Sequence, residues 1–332
     1  MKTRKRIPIS SIVLGLIFLA GLSLLLYPLV SNEWNEWRAS TLIGDYTEQV
    51  QELSQKDTKR WLNLARTYNK TLVGRGIPDA FAIHSAEENS EYAGELAFRA
   101  DGMMGAISIP RIHVNLPIYH GTGKEVLAKG AGHLQGSALP VGGSGTHCVI
   151  SAHRGLPSAA MFTDLDQLSV GDHFYLTVLG KKIAYKVDKI LEVEPDQTKS
   201  LAIKPGRDLC TLVTCTPYGV NTRRLLVRGH RVAYSAKTEH AEGENAKSSI
   251  FTQYGLWVLA GLSVVVIFST LAWSHANRNR AHRAAGRAGS AGSGCREGSR
   301  ARRAVHNRKP RSGAAPASPS PHGRPGRGSE RR

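Results

Sequence analysis

Three residues whose side chains together can perform acyl transfer stand beside predicted turns in the second half of the chain. Cys215 ends an apolar run and is followed at once by Thr-Pro-Tyr-Gly. His153 takes the matching place at the end of another such run, and Arg224 opens the run after the turn. A thiolate is a strong nucleophile, a histidine moves a proton, and an arginine donates to an oxyanion without acting as a base. The trio predicts nucleophilic chemistry at a carbonyl group.

Residue types alone leave other interpretations open. A cysteine at a strand end is usually a small core hydrophobe, and a lone arginine is usually a solvated surface charge. The chain has 13 histidines, so His153 is one of several candidates. The elements that would position the trio therefore have to be considered.

Two uncharged apolar runs, residues 7–30 and 250–273, each exceed the roughly 20 residues that a membrane-crossing helix needs. Both are predicted transmembrane helices. The first is expected to remain uncleaved, because it is longer than a signal peptide's apolar part and no Ala-x-Ala-like site follows it. Basic flanks stay in the cytoplasm during insertion. Residues 1–6 and 274–332 are therefore predicted to be cytoplasmic, and residues 31–249 extracellular.

The net charge of +18 is concentrated at the two ends of the chain. Residues 1–6 carry +4 and residues 276–332 carry +13, so the part between them is nearly neutral. The tail, residues 274–332, is rich in Arg, Gly, Ala, Ser and Pro, and such a composition predicts disorder and contact with anionic membrane lipid. No nucleic-acid partner is predicted. The Arg- and Ala-rich tail is typical of a GC-rich genome, which favours an actinobacterial source.

The extracellular part divides into a helical, an irregular and a β-rich region. Residues 31–72 have helical spacing, residues 73–102 are irregular, and residues 235–249 form a polar linker. Short β runs punctuated by Gly and Pro fill residues 103–234, with Gly180-Lys181-Lys182 as a short hairpin connection. The predicted strands are 104–109, 114–120, 146–153, 173–179, 183–193, 209–215 and 223–234. Seven strands with little helix predict an all-β fold with a closed or nearly closed barrel.

The stretch TLVTCTPYGVNTRRLLVRGHR, residues 211–231, closely resembles the sortase signature, Thr-Leu-x-Thr-Cys with an arginine nine residues after the cysteine. That spacing selects Arg224 and not Arg223. Residues 109–122, 130–143 and 153–172 are similar to the pilus-assembling branch, class C. The resemblance implies a sortase-type barrel whose catalytic residues are Cys215, His153 and Arg224, with no metal and no organic cofactor.

Class C sortases carry a lid with an Asp-Pro-aromatic motif, and the nearest match here is Asp79-Ala80-Phe81. By this resemblance, residues 73–102 form the lid loop, Asp79 pairs with Arg224 and Phe81 covers the Cys215 sulfur. Ala80 replaces the stiffening proline, so an ordinary solvated loop stays an alternative. Ala152 in place of a glycine and Arg223 in place of a histidine also depart from the family pattern.

Two further cysteines, Cys148 and Cys210, each precede a catalytic candidate by five residues. In the sortase barrel their strands are parallel neighbours, which brings the two thiols near each other. Parallel neighbours rarely give good disulfide geometry, so two buried free thiols are predicted rather than a disulfide. Cys295 lies in the tail. An odd number of extracellular cysteines leaves at least one thiol free or paired with another chain.

The resemblance implies a transpeptidase that cleaves a Leu-Pro-x-Thr-Gly-like sorting signal and transfers the acyl group to a lysine of a pilin subunit. One alternative is a housekeeping sortase that uses the same trio to anchor proteins to peptidoglycan. A cysteine protease would need an Asn or Asp to orient the histidine, and none is identified. A non-catalytic adhesion or scaffold protein is the remaining alternative, and it predicts an inert Cys215.

Overall fold

The computed structural model describes residues 9–72 and 90–244, together with the helical positions 261, 263, 270, 274 and 278. The predicted lid residues Asp79 and Phe81, most of the second apolar run and nearly all of the tail lie outside the described residues. The chain forms two units, Met1–Trp257 and Val258–Arg332. The first unit contains all the elements described below.

Two long helices precede the barrel. α1 spans Ile9–Glu52 and continues without a break past residue 30, where the sequence predicts the membrane boundary. Large apolar side chains between Leu16 and Val30 are exposed, and among the described residues α1 is the one helix long and apolar enough to cross a membrane. α2 spans Gln55–Thr71 and starts at Ser54, whose hydroxyl accepts a hydrogen bond from the Asp57 amide at 3.1 Å.

Eight strands close into a barrel in the order β1-β2-β3-β4-β7-β8-β6-β5. They are β1 Met103–Ile109, β2 Val114–His120, β3 Ala131–His133, β4 Thr146–Ser151, β5 His173–Val178, β6 Lys181–Val193, β7 Asp208–Thr216 and β8 Arg223–Val232. Among the pairs formed by these eight described strands, β2–β3 and β4–β7 are parallel and the others are antiparallel. The predicted closed barrel is confirmed, but the predicted count of seven strands is wrong. The three residues of β3 are too few to show an alternating pattern.

Short helices occupy the connections. They are α3 Ser90–Gly94, α4 Lys124–Leu127 and α5 over residues 236–244. α3 lies within the segment predicted as the lid loop, and its Tyr92 is fully buried. The Tyr92 hydroxyl lies 2.9 Å from Nδ1 of His133 on β3 and accepts from the Gly121 amide at 3.0 Å. The second half of the predicted loop is therefore anchored to the barrel.

The turn between β5 and β6 is tighter than predicted. Its two residues, Leu179 and Gly180, both have positive φ, at 47° and 72°. Two left-handed residues in a two-residue loop are typical of a type I′ hairpin turn. Lys181 and Lys182, predicted to be part of the connection, are strand residues of β6.

α1 runs along the outside of the barrel and distinguishes its two ends. Near its C-terminus, the Tyr46 hydroxyl donates to the Met104 carbonyl at 3.0 Å and accepts from the Leu179 amide at 2.8 Å. Near residue 30, Asn35 Nδ2 donates to the Ser158 carbonyl at 2.7 Å. Ser158 belongs to the loop after β4. This second end, where β4 and β7 finish and β8 begins, is called the site end below.

Candidate functional site

The position of Cys215 follows from the alternation of side chains along β7. Strand residues two apart share a face, and residues an odd number apart face opposite sides. Cys210 and Leu212 belong to the apolar core inside the barrel, whereas Val213 packs in a second cluster outside it. Cys215 is two residues after Val213 on β7 and therefore lies on the same outer face. Its side chain is half-buried, so the thiol at the strand end is open to substrate.

Arg224 lies directly opposite Cys215 across the β7–β8 pair. Its Nη1 atom lies 3.7 Å from the Cys215 sulfur and 3.5 Å from the Asn221 carbonyl oxygen. Directly opposite residues of an antiparallel pair project to the same face. Arg224 therefore shares the outer face with Cys215, where a guanidinium favours the thiolate and can donate to an oxyanion formed beside it.

His153 reaches the same face through the parallel β4–β7 pair. The register joins Ser151 to Val213, and continuing it by two residues places His153 beside Cys215. The register holds beyond the end of β4, because the Ala152 amide donates to the Val213 carbonyl at 3.2 Å and the Thr214 hydroxyl donates to the Ala152 carbonyl at 2.9 Å. The sequence placed His153 at the end of a strand, whereas β4 ends at Ser151.

Half-burial lowers the pKa of His153 below its usual value, because the charged imidazolium is less well solvated there. A lower pKa makes the imidazolium a stronger acid and also a less populated one at neutral pH. Such a group is suited to giving a proton to an amine that leaves during the reaction.

The neighbouring arginine, Arg223, lies on the opposite face of β8, because adjacent residues of a strand face opposite sides. It shares its face of β8 with the buried Leu225, not with Arg224. Its guanidinium pairs with Glu192 at 3.3 Å and Glu194 at 3.2 Å. The two arginines therefore lie on opposite faces of β8, and Arg224 is the one that shares its face with Cys215.

The residue after His153 contributes a contact that the sequence did not suggest. The Arg154 side chain is 8% exposed and forms an ion pair with Asp166. Its Nη1 also donates to the Thr216 hydroxyl at 3.4 Å. Arg154 thus links the loop after His153 to the end of the strand that carries Cys215. The sequence gives no local signal for this link, because Arg154 and Thr216 are 62 residues apart.

Cys148 and Cys210 lie on the inner face as direct partners in the parallel β4–β7 register. Both are buried free thiols, as predicted. Burial, followed by the hydrogen bond with Cys148, raises the pKa of Cys210 well above its usual value. Burial also disfavours the Cys148 thiolate, but hydrogen bonds with Cys210 and His133 lower the Cys148 pKa below its usual value. Neither thiol has access to solvent.

A comparison with protein families matches residues 107–232 to the sortase domain. Solved structures cover more of the chain. Sortase C1 from Streptococcus agalactiae is 47% identical with a TM-score of 0.55, over 59% of this chain and 100% of that chain. Sortase C-1 from Actinomyces oris is 46% identical with a TM-score of 0.51, over 53% and 99%. Sortase C from Streptococcus pneumoniae, described with a pilin substrate specificity, is 43% identical with a TM-score of 0.54, over 59% and 98%.

The curated relatives are more distant. Sortase A of Streptococcus agalactiae serotype III is 33% identical over 154 residues, which are 46% of this chain. The match spans 62% of that relative's length. Sortase D of Bacillus subtilis is 30% identical, over 39% of this chain and 63% of its own length. Similar structures come from both streptococci and an actinomycete, so the predicted actinobacterial source stays a prediction.

Proposed function

We propose that this chain, which belongs to the sortase family, acts as a transpeptidase with Cys215 as nucleophile, His153 as proton donor and Arg224 as oxyanion ligand. The observation that carries the proposal is the pairing of Cys215 with Arg224 across β7 and β8, at 3.7 Å. The β4–β7 register supports His153 as the third member on the same face.

In the first step, the Cys215 sulfur bonds to the threonine carbonyl carbon of a Leu-Pro-x-Thr-Gly-like sorting signal. Arg224 donates to the oxygen that becomes negative. The threonine–glycine bond then breaks, and His153 gives its proton to the departing glycine amine. In the second step, a primary amine attacks the thioester, its proton passes to His153, and Cys215 leaves as a thiolate. The product is a new amide bond.

The proposed acceptor amine is a lysine of the next pilin subunit, so that the product is an isopeptide bond within a covalent pilus. This finer proposal is supported by the higher identity to solved sortase C structures, 41% to 47%, than to the curated sortase A of Streptococcus agalactiae, 33%. Asp79 and Phe81 are proposed as a lid over the site. Anchoring of surface proteins to peptidoglycan is the competing function and is an outcome of the experiment below.

The proposed location is the cell membrane, with the barrel outside and both termini in the cytoplasm. The exposed apolar side chains of α1 between Leu16 and Val30 support a first span. α5 supports a chain that returns towards the membrane. Lys182 contacts Glu239 early in α5 at 2.9 Å, whereas Glu242 near its end contacts His173 at 2.7 Å. His173 begins β5 at the site end of the barrel, so α5 runs towards that end before the second apolar run begins.

The test uses the purified full chain in detergent with a Leu-Pro-x-Thr-Gly peptide and a lysine-bearing pilin domain. Mass spectrometry is expected to find a peptide–lysine isopeptide with the parent protein and none with Cys215→Ala. Asp79→Ala/Phe81→Ala is expected to speed the reaction if these residues form a lid. Transfer to short glycine amines but not to the pilin lysine would favour wall anchoring. Failure of the parent and of the lid variant to consume peptide would contradict the catalytic assignment.

A further inference from the structure

The loop that follows His153 is fixed to the part of α1 just beyond the apolar run. Asn35 Nδ2 donates to the Ser158 carbonyl, and the Ala160 amide donates to Asn32 Oδ1, both at 2.7 Å. A helix rises about 1.5 Å per residue, so Asn32 and Asn35 lie about 3 Å and 8 Å beyond Val30 along the axis. The loop is therefore held beside the first turns of α1 after its apolar half.

At the same level, α1 presents two exposed tryptophans. Trp34 and Trp37 are 61% and 59% exposed, and their ring centroids are 5.1 Å apart. They lie about 6 Å and 10 Å beyond Val30. The polar headgroup region extends roughly 5–8 Å beyond the hydrocarbon on each side of a bilayer, and tryptophan is enriched there. The backbone of Trp34 lies within this layer, and the backbone of Trp37 lies just beyond it. Side chains of a helix lean towards its N-terminus, which brings the Trp37 ring back towards the layer.

The turn after Cys215 adds a second exposed apolar group at the site end. Tyr218 and Val220 are 61% and 65% exposed. The Tyr218 ring lies so close to Gly155 that a Cβ atom on this glycine would come within 3.1 Å of the ring. Gly155 belongs to the loop that α1 holds. The turn that carries Tyr218 and Val220 therefore lies next to the loop that α1 holds near Val30.

The opposite end of the barrel lies much farther along α1. Val50 approaches the β5–β6 turn, where a Cβ atom on Gly180 would lie 3.4 Å from the valine side chain. Val50 is about 30 Å beyond Val30 along the helix. Lys181, which follows this turn, is exposed. The site end and the opposite end of the barrel therefore differ in distance from the apolar run and in the character of their exposed side chains.

We infer that the site end of the barrel rests on the outer headgroup layer of the membrane that holds α1, with Trp34, Trp37, Tyr218 and Val220 in contact with lipid. The inference rests on the proposed function, because it requires that the apolar half of α1 spans the membrane. Its consequence is a kinetic preference: contact of the two tryptophans with lipid speeds turnover of a sorting signal tethered to the bilayer more than turnover of the same signal free in solution.

A depth measurement tests the contact. The full chain carrying Cys215→Ala and Cys295→Ser receives a spin label at Val220→Cys or, as the control, at Lys181→Cys, and is reconstituted in phosphatidylcholine–phosphatidylglycerol vesicles. A sample without an added cysteine corrects for labelling of Cys148 and Cys210. Collision with a water-soluble nickel chelate is expected to be at least about fivefold lower at position 220 than at position 181. Equal collision rates would overturn the inference.

A kinetic measurement tests the preference. Trp34→Ser/Trp37→Ser is expected to lose about fivefold of the rate on a vesicle-tethered sorting signal, but less than about twofold on the free peptide. Leu64→Ser removes an exposed leucine of α2 and is the matched control, with both rates expected to be unchanged. Equal effects on the two substrates would contradict the preference. Peptide turnover by the parent in detergent reports separately on the proposed function, whose failure would appear there as no turnover.

Discussion

Cys210 and Cys215 lie on the same strand, five residues apart, in opposite environments. Cys210 faces the barrel interior, is fully buried and is partnered by Cys148. Cys215 faces outward, is half-buried and is partnered by Arg224. An odd separation along a strand is enough to place two identical side chains on opposite faces. The comparison shows that the face of the strand, rather than the residue type, decides which of the two thiols reaches the solvent.

Burial also separates the inner pair of thiols from any substrate, whatever their pKa values. Hydrogen bonds with Cys210 and His133 lower the pKa of Cys148 against the effect of burial, yet Cys148 is only 2% exposed. A nucleophile needs both the thiolate and a path to the substrate. Among the three cysteines that the structure describes, Cys215 is the one whose side chain has solvent access.

The largest expected effect comes from exchanging the two cysteines of β7 for alanine. Cys215→Ala is expected to abolish thioester formation, a loss of at least about a thousandfold, with little change in the free energy of unfolding. Cys210→Ala is expected to destabilise the fold by about 1–2 kcal/mol, because it leaves a small cavity, while the folded protein keeps its activity. Peptide turnover and denaturant unfolding measure the two effects. Similar changes in turnover and in the free energy of unfolding for the two variants would contradict different roles for the two faces of β7.

The two arginines of β8 provide the next test. Arg224→Gln is expected to lower kcat by about 10²–10³-fold, as for the loss of one oxyanion donor. Arg223→Gln is the matched control and is expected to change kcat less than about threefold, because its exposed ion pairs contribute little. Steady-state kinetics with the sorting-signal peptide measure both. A larger loss in Arg223→Gln than in Arg224→Gln would reverse the assignment.

The smallest effect concerns His147 on the outer face of β4. Its Nδ1–H donates to the Ala202 carbonyl at 3.0 Å, and its Nε2 accepts from the Thr211 hydroxyl at 2.7 Å. Burial lowers its pKa to about 4. The unfolded chain therefore binds more protons between about pH 6.5 and pH 4. The contribution of this group, about 3 kcal/mol, is complete above pH 6.5 and is lost as the pH falls towards 4.

Unfolding by urea at several pH values measures this loss. His147→Gln is the matched variant, and its stability is expected to fall less steeply than that of the parent between pH 6.5 and pH 4. Parallel pH profiles for the two proteins would contradict the assignment of the acid sensitivity to His147. The result would also show whether the outer face of β4, which leads to the site, contributes to the stability of the fold.

The sequence predicted the barrel because strands depend on local patterns, whereas it selected the catalytic candidates through the resemblance to the sortase signature. Alternating apolar runs predict strands, and the spacing from Cys215 to Arg224 corresponds to a strand, a turn and a returning strand. β3 was missed because Ala-Gly-His carries no such pattern. Gly132 of this strand lies so close to the backbone at Gly121 that a Cβ atom would meet the Gly121 carbonyl oxygen at 2.3 Å. The glycine is therefore required by tertiary packing, which a local pattern does not reveal.

Long-range contacts were the other part that the sequence did not predict. The bonds from α1 to the loop after His153 join residues more than 120 positions apart, and the helix crosses the predicted boundary at residue 30 without a break. Side chains such as Asn32 and Asn35 have no periodicity that identifies their partners. These contacts depend on how the helix and the barrel pack together, which local patterns do not specify.

Locating the acyl group on the enzyme tests directly whether Cys215 is the nucleophile. The full chain is incubated with the sorting-signal peptide without an acceptor amine, quenched in acid and digested for peptide mapping by mass spectrometry. A thioester on Cys215 is expected, with Cys148 and Cys210 unmodified. An acyl group on either inner cysteine, or turnover that persists in Cys215→Ala, would contradict the assignment of Cys215 as the nucleophile.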